Sequence, residues 1–317
     1  MSHEVTAVPG DAPRTMGRVV GLLAAAGADL TWDQPSPASS HADMLRSAQR
    51  TGLALVAPRR WRGRGPSPAV VLREELGVFA QHRPVKALPG LPCRHPDTDL
   101  LVVRETTEDV YAHLEHESIP GVFESLKVTT EGACERIARH AFEVARAQGR
   151  KRVTIVHKAN IMKLSDGMFL RVGQRVAQDY PDIACDEVIV DALCMKLVLD
   201  PTRFDVLLCG NLFGDIVADL CAGLVGGGSN APSMNLAPGA ALFTAGWGDT
   251  AEVDGTDAAN PLPVLLPALF LLRHVGDAAA ERRLEGALVG ALEAGAPVAL
   301  GGKVPFEAFC AAIEARL

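Results

Sequence analysis

The sequence predicts an α/β protein with two domains. Three observations carry that reading. Short apolar runs alternate along the chain with longer amphipathic stretches. Glycine and proline bound several of those segments, at Pro9-Gly10, Gly27, Pro58 and Gly149. The chain is 317 residues long, 48% hydrophobic and 22% charged, which is enough apolar material for two cores and too much for a disordered chain.

The elements follow in order. Val5–Val8 reads as a short strand ending at Pro9-Gly10-Asp11, and 14–27 as a helix stopped by Gly27. Residues 33–40 read as a loop. Leu53–Ala57 reads as a buried strand before Pro58, and Leu100–Val103 as another. Residues 131–149 have Ala133, Ile137, Ala141 and Val144 on one side and Gly149 at the end, which is the pattern of an amphipathic helix. A strand at 153–156, a helix at 166–180 and a strand at 186–191 continue the alternation. Residues 223–239, rich in Gly, Ser, Pro and Asn, read as a long functional loop. Residues 262–317 read as helices.

Bulk properties exclude several classes. A net charge of −7 argues against nucleic acid or an anionic membrane as the main partner. The longest apolar stretch, Pro263–Val275, is interrupted by Pro267 and Arg273 and is too short to span a bilayer. No basic segment followed by an apolar run opens the sequence. The seven cysteines are odd in number and form no Cys-x-x-Cys pair. They are therefore expected as reduced, mostly buried thiols in a cytoplasmic protein.

The chemistry concentrates in a few positions. Asp215 and Asp219 are four residues apart, so on a helix they share one face. A third carboxylate, Asp191, precedes them. Oxygen ligands of this kind suit Mg²⁺ or Mn²⁺, although a solvated acidic face has the same spacing. The flanking segments Val206–Cys209 and Leu220–Ala222 are apolar, so the pair needs a counter-charge. Arg73, Arg83 and Arg104 are candidates for gripping a di- or tricarboxylate bidentately; each alone also reads as a surface arginine. Lys158 directly follows a strand, where neighbouring carboxylates can turn a lysine into a base.

The stretch Phe204–Gly227, "FDVLLCGNLFGDIVADLCAGLVGG", resembles the isocitrate/isopropylmalate dehydrogenase family, as does "VHKANIMKLSDG" around Lys158. The resemblance spans roughly residues 67–275, with weaker traces at both ends. It implies a two-domain fold with sheets flanked by helices. The large domain would hold 1–88 and 226–317, the small one 89–225. The active site would lie in the cleft between the domains at a homodimer interface. It also implies roles. Asp191, Asp215 and Asp219 would hold the metal on the substrate's hydroxyl and adjacent carboxylate. Ser67 and the arginines of the "LR" helix, the "RP" turn and the "RE-x-T-E" strand end, namely Arg73, Arg83 and Arg104, would bind carboxylates. Lys158 would take part in deprotonating the hydroxyl. Tyr111 would protonate the enol left by decarboxylation. Asn160 would lie near the nicotinamide, and Lys158, Asn160 and Asp191 would come from the neighbouring subunit.

The cofactor half departs from the family pattern. Its usual first turn, Gly-Asp-Gly-Ile-Gly-Pro-Glu, is here Gly10-Asp11-Ala12-Pro13-Arg14-Thr15-Met16. Its adenine loop is here Trp247-Gly248-Asp249-Thr250-Ala251-Glu252, followed by Asn260, and the usual histidine is absent. Trp247 can still stack on adenine. Glu252 stands where a carboxylate would hold a ribose diol and repel a 2′-phosphate, which favours NAD. On the substrate side Ser67 remains but the following asparagine is lost. Six arginines against two glutamates between 59 and 83 suit a substrate more anionic than isopropylmalate, such as a tricarboxylate or a phosphonate analogue, though a solvated basic loop is equally consistent. Three readings stay open: an NAD-dependent oxidative decarboxylase of an isocitrate-like acid, a nucleotide-independent decarboxylase or lyase, and a non-catalytic regulatory subunit.

Overall fold

The computed structural model describes residues 2–34, 41–58, 68–245 and 254–317. The chain divides into two compact units. The first comprises 1–77, 87–96 and 225–317; the second comprises 78–86 and 97–224. The segment 78–86, expected with the large domain, thus belongs to the second unit, and 89–96 to the first.

The first unit opens with β1 (His3–Val8), α1 (Pro13–Ala25), β2 (Leu30–Asp33), α2 (His41–Thr51), β3 (Leu53–Val56) and α3 (Pro68–Glu75). Right after β1, Gly10 adopts a positive φ of 54°, and a Cβ there would sit 2.6 Å from the Pro58 carbonyl oxygen. Only glycine fits that approach. Pro13 at the first helical position then starts α1 with φ already set for a helix.

The second unit holds β4 (Ala80–Lys86), β5 (Asp99–Glu105), a hairpin of β6 (Glu115–Ile119) and β7 (Val122–Ser125), α4 (Glu131–Ala147), β8 (Arg152–His157), α5 (Ser165–Ala177), β9 (Ala184–Ile189), α6 (Val190–Leu199), β10 (Val206–Cys209) and α7 (Asn211–Leu224). Its main strands run in the order β4-β5-β10-β8-β9, parallel except for β4 against β5. Leu101, Val103, Val153, Ile155, Val206 and Leu208 from three parallel strands pack with Ile137, Ala141 and Phe142 of α4 and with Phe169, Val172 and Val176 of α5. Helices and strands meet there because each presents an apolar face to the other. Thr130 caps α4 by accepting from Ala133 N.

The chain returns to the first unit as β11 (Pro232–Ala237), β12 (Ala240–Ala245), α8 (Leu262–His274), α9 (Ala278–Ala294) and α10 (Phe306–Glu314). There the order is β2-β1-β3-β12-β11, with β11 antiparallel to β12 and the others parallel. α8 is buried almost all round, from Leu262 through Leu272, and carries Pro267 inside it.

Three expectations change. Residues 223–239 are not one loop: 228–230 form a 3-10 turn and Pro232–Ala237 pairs with β12. The strand was hidden by its buried polar residues, Ser233 and Asn235; the Asn235 amide donates to the Leu242 carbonyl across the hairpin at 3.3 Å. Asp191 lies in the first turn of α6, not on a strand, because β9 ends at Ile189 and the chain turns helical at once. Arg83 is not in a turn; Arg83-Pro84 lies inside β4. All seven cysteines are free thiols. Cys134, Cys209, Cys221 and Cys310 are buried, whereas Cys185 is exposed and Cys93 and Cys194 are half-buried.

Candidate active site

One helix organises the site. α7 begins at Asn211, immediately after buried β10. Gly214 in its first turn lets the helix lie against β5: a Cβ at that position would meet Arg104 Cγ at 2.6 Å. Arg104 is consequently buried, 4% exposed, with its guanidinium trapped beneath the helix. Asn211 Oδ1 accepts from Arg104 Nε at 3.0 Å and from Nη2 at 2.7 Å, while Gln81 Oε1 accepts from Nη1 at 3.2 Å. The remaining partner of Nη1 is Asp215 Oδ1.

The second oxygen of Asp215 accepts from the Tyr111 hydroxyl at 2.5 Å. Tyr111 stands in a 3-10 turn, Val110–Ala112, with the Arg104 guanidinium 5.1 Å from its ring centroid. Burial raises the Tyr111 pKa above the ordinary phenol value, and the bond to the Asp215 carboxylate raises it further. The phenol therefore holds its proton. One turn along α7, Asp219 Oδ1 accepts from Arg83 Nη2 at 3.0 Å. Arg83 is 5% exposed, whereas the Asp219 side chain is 68% exposed.

The third carboxylate has its own cation. Lys158, just past β8, donates its ammonium to Asp191 Oδ1. That hydrogen bond lowers the Asp191 pKa. The Lys158 backbone N–H donates to Asp166 Oδ2 at 2.7 Å, which fixes the loop that carries it. Each of the three aspartates thus meets a basic residue that the sequence also singled out. The acidic face of α7 carries ion pairs to Arg83 and Arg104 while the Asp219 side chain stays largely solvated. Among the described residues of one chain, no three acidic, histidine or cysteine groups come together as a metal cluster. The donors are nonetheless carboxylate oxygens from one helix face, which fits Mg²⁺ or Mn²⁺ once a further ligand joins them.

Other expected residues sit on other elements. Arg73 is half-buried in the last turn of α3, in the first unit. Asn160 is exposed in the loop after β8. Asn260 is buried, and its Oδ1 accepts from Leu262 N at 3.0 Å at the start of α8. Ser67, Trp247, Gly248 and Glu252, with Arg59, Arg60, Arg62 and Arg64, lie outside the described residues. The first turn of α1 is already served from within the chain. Asp254 accepts from Arg14 N and Thr15 N, both at 3.0 Å, and from the Thr15 hydroxyl at 2.6 Å. Asp11 N donates to Pro58 O, Ala12 N to Pro9 O and Met16 N to Ala12 O, and Pro13 has no N–H. Within that turn the backbone N–H groups of Asp11, Ala12, Arg14, Thr15 and Met16 are all taken.

Sequence reasoning missed Asn211, Gln81, Asp109 and Asp166. Asn211 carried a signal: a Gly-Asn pair opening a helix after a buried strand. Gln81 and Asp109 act through partners 23 and 103 positions away, and Asp166 through the backbone N–H of Lys158.

A mixed-sheet α/β fold that sets carboxylates opposite arginines, a lysine and a protonated phenol has the groups of an enzyme for small anionic acids. The family model described as isocitrate/isopropylmalate dehydrogenase matches residues 38–304. The probable isocitrate dehydrogenase (NAD) subunit alpha, mitochondrial, of Caenorhabditis elegans is 38% identical over 99% of this chain and 92% of its own. The 3-isopropylmalate dehydrogenase of Archaeoglobus fulgidus is 47% identical over 69% of this chain and 67% of its own. The crystal structure of isocitrate dehydrogenase from Methylococcus capsulatus superposes with a TM-score of 0.90 at 35% identity, covering 99% of both chains. The chain belongs to the isocitrate/isopropylmalate dehydrogenase family. It is an oxidoreductase of the class that oxidises and decarboxylates small hydroxy acids.

Proposed function

We propose that this enzyme oxidatively decarboxylates an isocitrate-like 2-hydroxy acid, a tricarboxylate or its phosphonate analogue, with NAD and a divalent cation, in a specialised biosynthetic reaction. The pairing of Asp215 with Arg104 and Tyr111, Asp219 with Arg83, and Asp191 with Lys158 carries the reading. It brings hard metal ligands and carboxylate-binding cations together in a fixed ratio. Two of the relatives named above that align over nearly the whole chain are isocitrate dehydrogenases. The arginines counted in the sequence between 59 and 83 favour the more anionic substrate.

Asp215, Asp219 and Asp191 would hold Mg²⁺ or Mn²⁺, which when bound acidifies the substrate hydroxyl as a Lewis acid. NAD would accept the hydride. Arg83 and Arg104 bind carboxylates and fix the substrate's orientation; Ser67 and Arg73 complete that set. Lys158 takes part in deprotonating the hydroxyl, a step for which its ammonium must first release a proton. Tyr111, held protonated, returns a proton to the carbon that loses CO₂. Trp247, Gly248, Glu252, Asn160 and Asn260 are the cofactor-side residues of this reading.

Asp191 and Lys158 would reach the α7 carboxylates of a second copy in a homodimer. The exposed apolar side chains of the β6–β7 hairpin, Ile119 and Phe123, and of α6 and α7, Met195, Leu199 and Ile216, suit burial against that copy. The free thiols fit a reducing compartment such as the cytoplasm.

A second reading, a nucleotide-independent decarboxylase, is favoured by the committed donors at the start of α1. Calorimetry separates the two. NAD binding at sub-millimolar strength in the presence of Mg²⁺ and isocitrate supports the dehydrogenase; no NAD binding under any condition, with CO₂ released from a β-keto acid, supports the alternative.

A further inference from the structure

Lys127 belongs to none of the residue sets above, yet it touches the supports of most of them. It follows β7 and is half-buried. Its Nζ lies 2.7 Å from Asp109 Oδ2 and 3.5 Å from Asp166 Oδ1, with the Phe213 ring centroid at 5.5 Å. Asp109 is 3% exposed and Asp166 4% exposed. Two carboxylates buried so deeply are costly unless a cation and hydrogen bonds compensate them.

Each carboxylate holds a piece of the site's backbone. Asp109 Oδ1 accepts from Val110 N at 2.8 Å, at the start of the turn that carries Tyr111. Asp109 Oδ2 accepts from Leu212 N at 3.2 Å, in the first turn of α7. Asp109 itself has φ 79° and ψ −147°, a backbone region that a residue with a Cβ occupies only when its surroundings impose it. Asp166 Oδ2 accepts from Lys158 N. One ammonium therefore ties together the Tyr111 turn, the N-terminal turn of the helix bearing Asp215 and Asp219, and the Lys158 loop.

We propose that Lys127 is a positioning residue that holds Tyr111, α7 and Lys158 in register through Asp109 and Asp166, without touching substrate. This rests on the reading that Tyr111 and Lys158 carry the proton transfers. Losing the tie shifts the reacting groups relative to one another, while the backbones of Arg83 and Arg104 stay anchored in β4 and β5. Misplacement of about 1 Å is enough for a large rate loss.

The test measures kcat and KM of the whole enzyme with isocitrate and 3-isopropylmalate as probes, normalised to the fraction folded by circular dichroism. Lys127→Met is expected to lower kcat at least about tenfold with KM changed less than about threefold. Lys127→Arg, which restores a cation able to reach both carboxylates, is expected to recover most of that loss. Asp109→Asn leaves Lys127 paired with Asp166 and removes only the tie to α7 and Tyr111, so it serves even where Lys127→Met folds poorly; kcat is expected to fall without a rise in KM. Wild-type kcat per folded enzyme in Asp109→Asn, or in Lys127→Met, overturns the proposal, as does a loss confined to KM. Tyr111→Phe runs alongside. If it is crippled while the Lys127 and Asp109 variants are not, only the positioning role fails. If it retains full turnover, the catalytic reading itself is wrong.

Discussion

Replacing Arg83 by Met separates substrate binding from fold stability. The guanidinium is 5% exposed and its Nη2 is 3.0 Å from Asp219 Oδ1. Its desolvation is therefore already incurred in the folded chain, and an incoming carboxylate gains a charged hydrogen bond without that cost. Such a bond is worth about 1.5–3 kcal/mol. At about 1.4 kcal/mol per factor of ten, KM for the acid should rise about 10- to 150-fold. kcat should change little, because the carboxylate is held equally before and during the reaction. Asp219 loses its partner but its side chain is 68% exposed and rehydrates, while the buried Arg83 Nε had no hydrogen-bond partner to lose. Thermal stability should therefore be unchanged or slightly higher. Mn²⁺ binding without substrate should hold or tighten, since Asp219 is released. Steady-state kinetics with isocitrate, a melting curve and a Mn²⁺ titration provide the readouts. A KM within about threefold of wild type, combined with a drop in melting temperature of more than about 5 °C, would make Arg83 a structural ion-pair member and refute the carboxylate role.

Four further outcomes are expected. Asp215→Asn should weaken Mn²⁺ binding and lower turnover by orders of magnitude; full turnover at limiting Mn²⁺ would remove Asp215 from the metal set. Tyr111→Phe should impair protonation of the decarboxylated carbon more than hydride transfer, checked by comparing NADH formation with release of protonated product, and equal losses would count against the role. Because its pKa is raised, wild-type Tyr111 should impose no alkaline fall in rate below about pH 10. Glu105 is 3% exposed, and burial is the largest cause of its raised pKa. The folded state thus binds its proton more tightly than the unfolded state, and the stability from this group is present at low pH and declines as pH rises through the raised pKa. The melting temperature of Glu105→Gln relative to wild type should accordingly fall as the pH is lowered from neutral, whatever the cost of losing one of the oxygens that accept from Thr107 and Glu108; a relative gain in acid would contradict this sign.

Much of the site was legible because its residues are close in sequence or sit at element ends. The i,i+4 spacing of Asp215 and Asp219 within apolar surroundings already required counter-charges, and Arg104 and Arg83 supply them. Lys158 after an apolar strand was readable in the same way. The shift from a period of two to a period of 3.6 at Ile189-Val190 was not, so Asp191 was placed on the wrong element. Arg83-Pro84 reads locally as a turn, and only pairing with β5 makes it a strand. The β6–β7 hairpin carries a local signal, Pro120-Gly121 between Ile119 and Val122. Lys127 was illegible: its partners lie 18 and 39 positions away, and nothing in a sequence window marks a lysine that will close over two buried carboxylates.

The most direct measurement is the stoichiometry of NADH and CO₂ formed from isocitrate by the purified enzyme, with Mg²⁺ and after its removal by chelation. The proposed reaction gives one NADH per CO₂, and both disappear with the metal. CO₂ from a β-keto acid with no NADH formed from any hydroxy acid would contradict it.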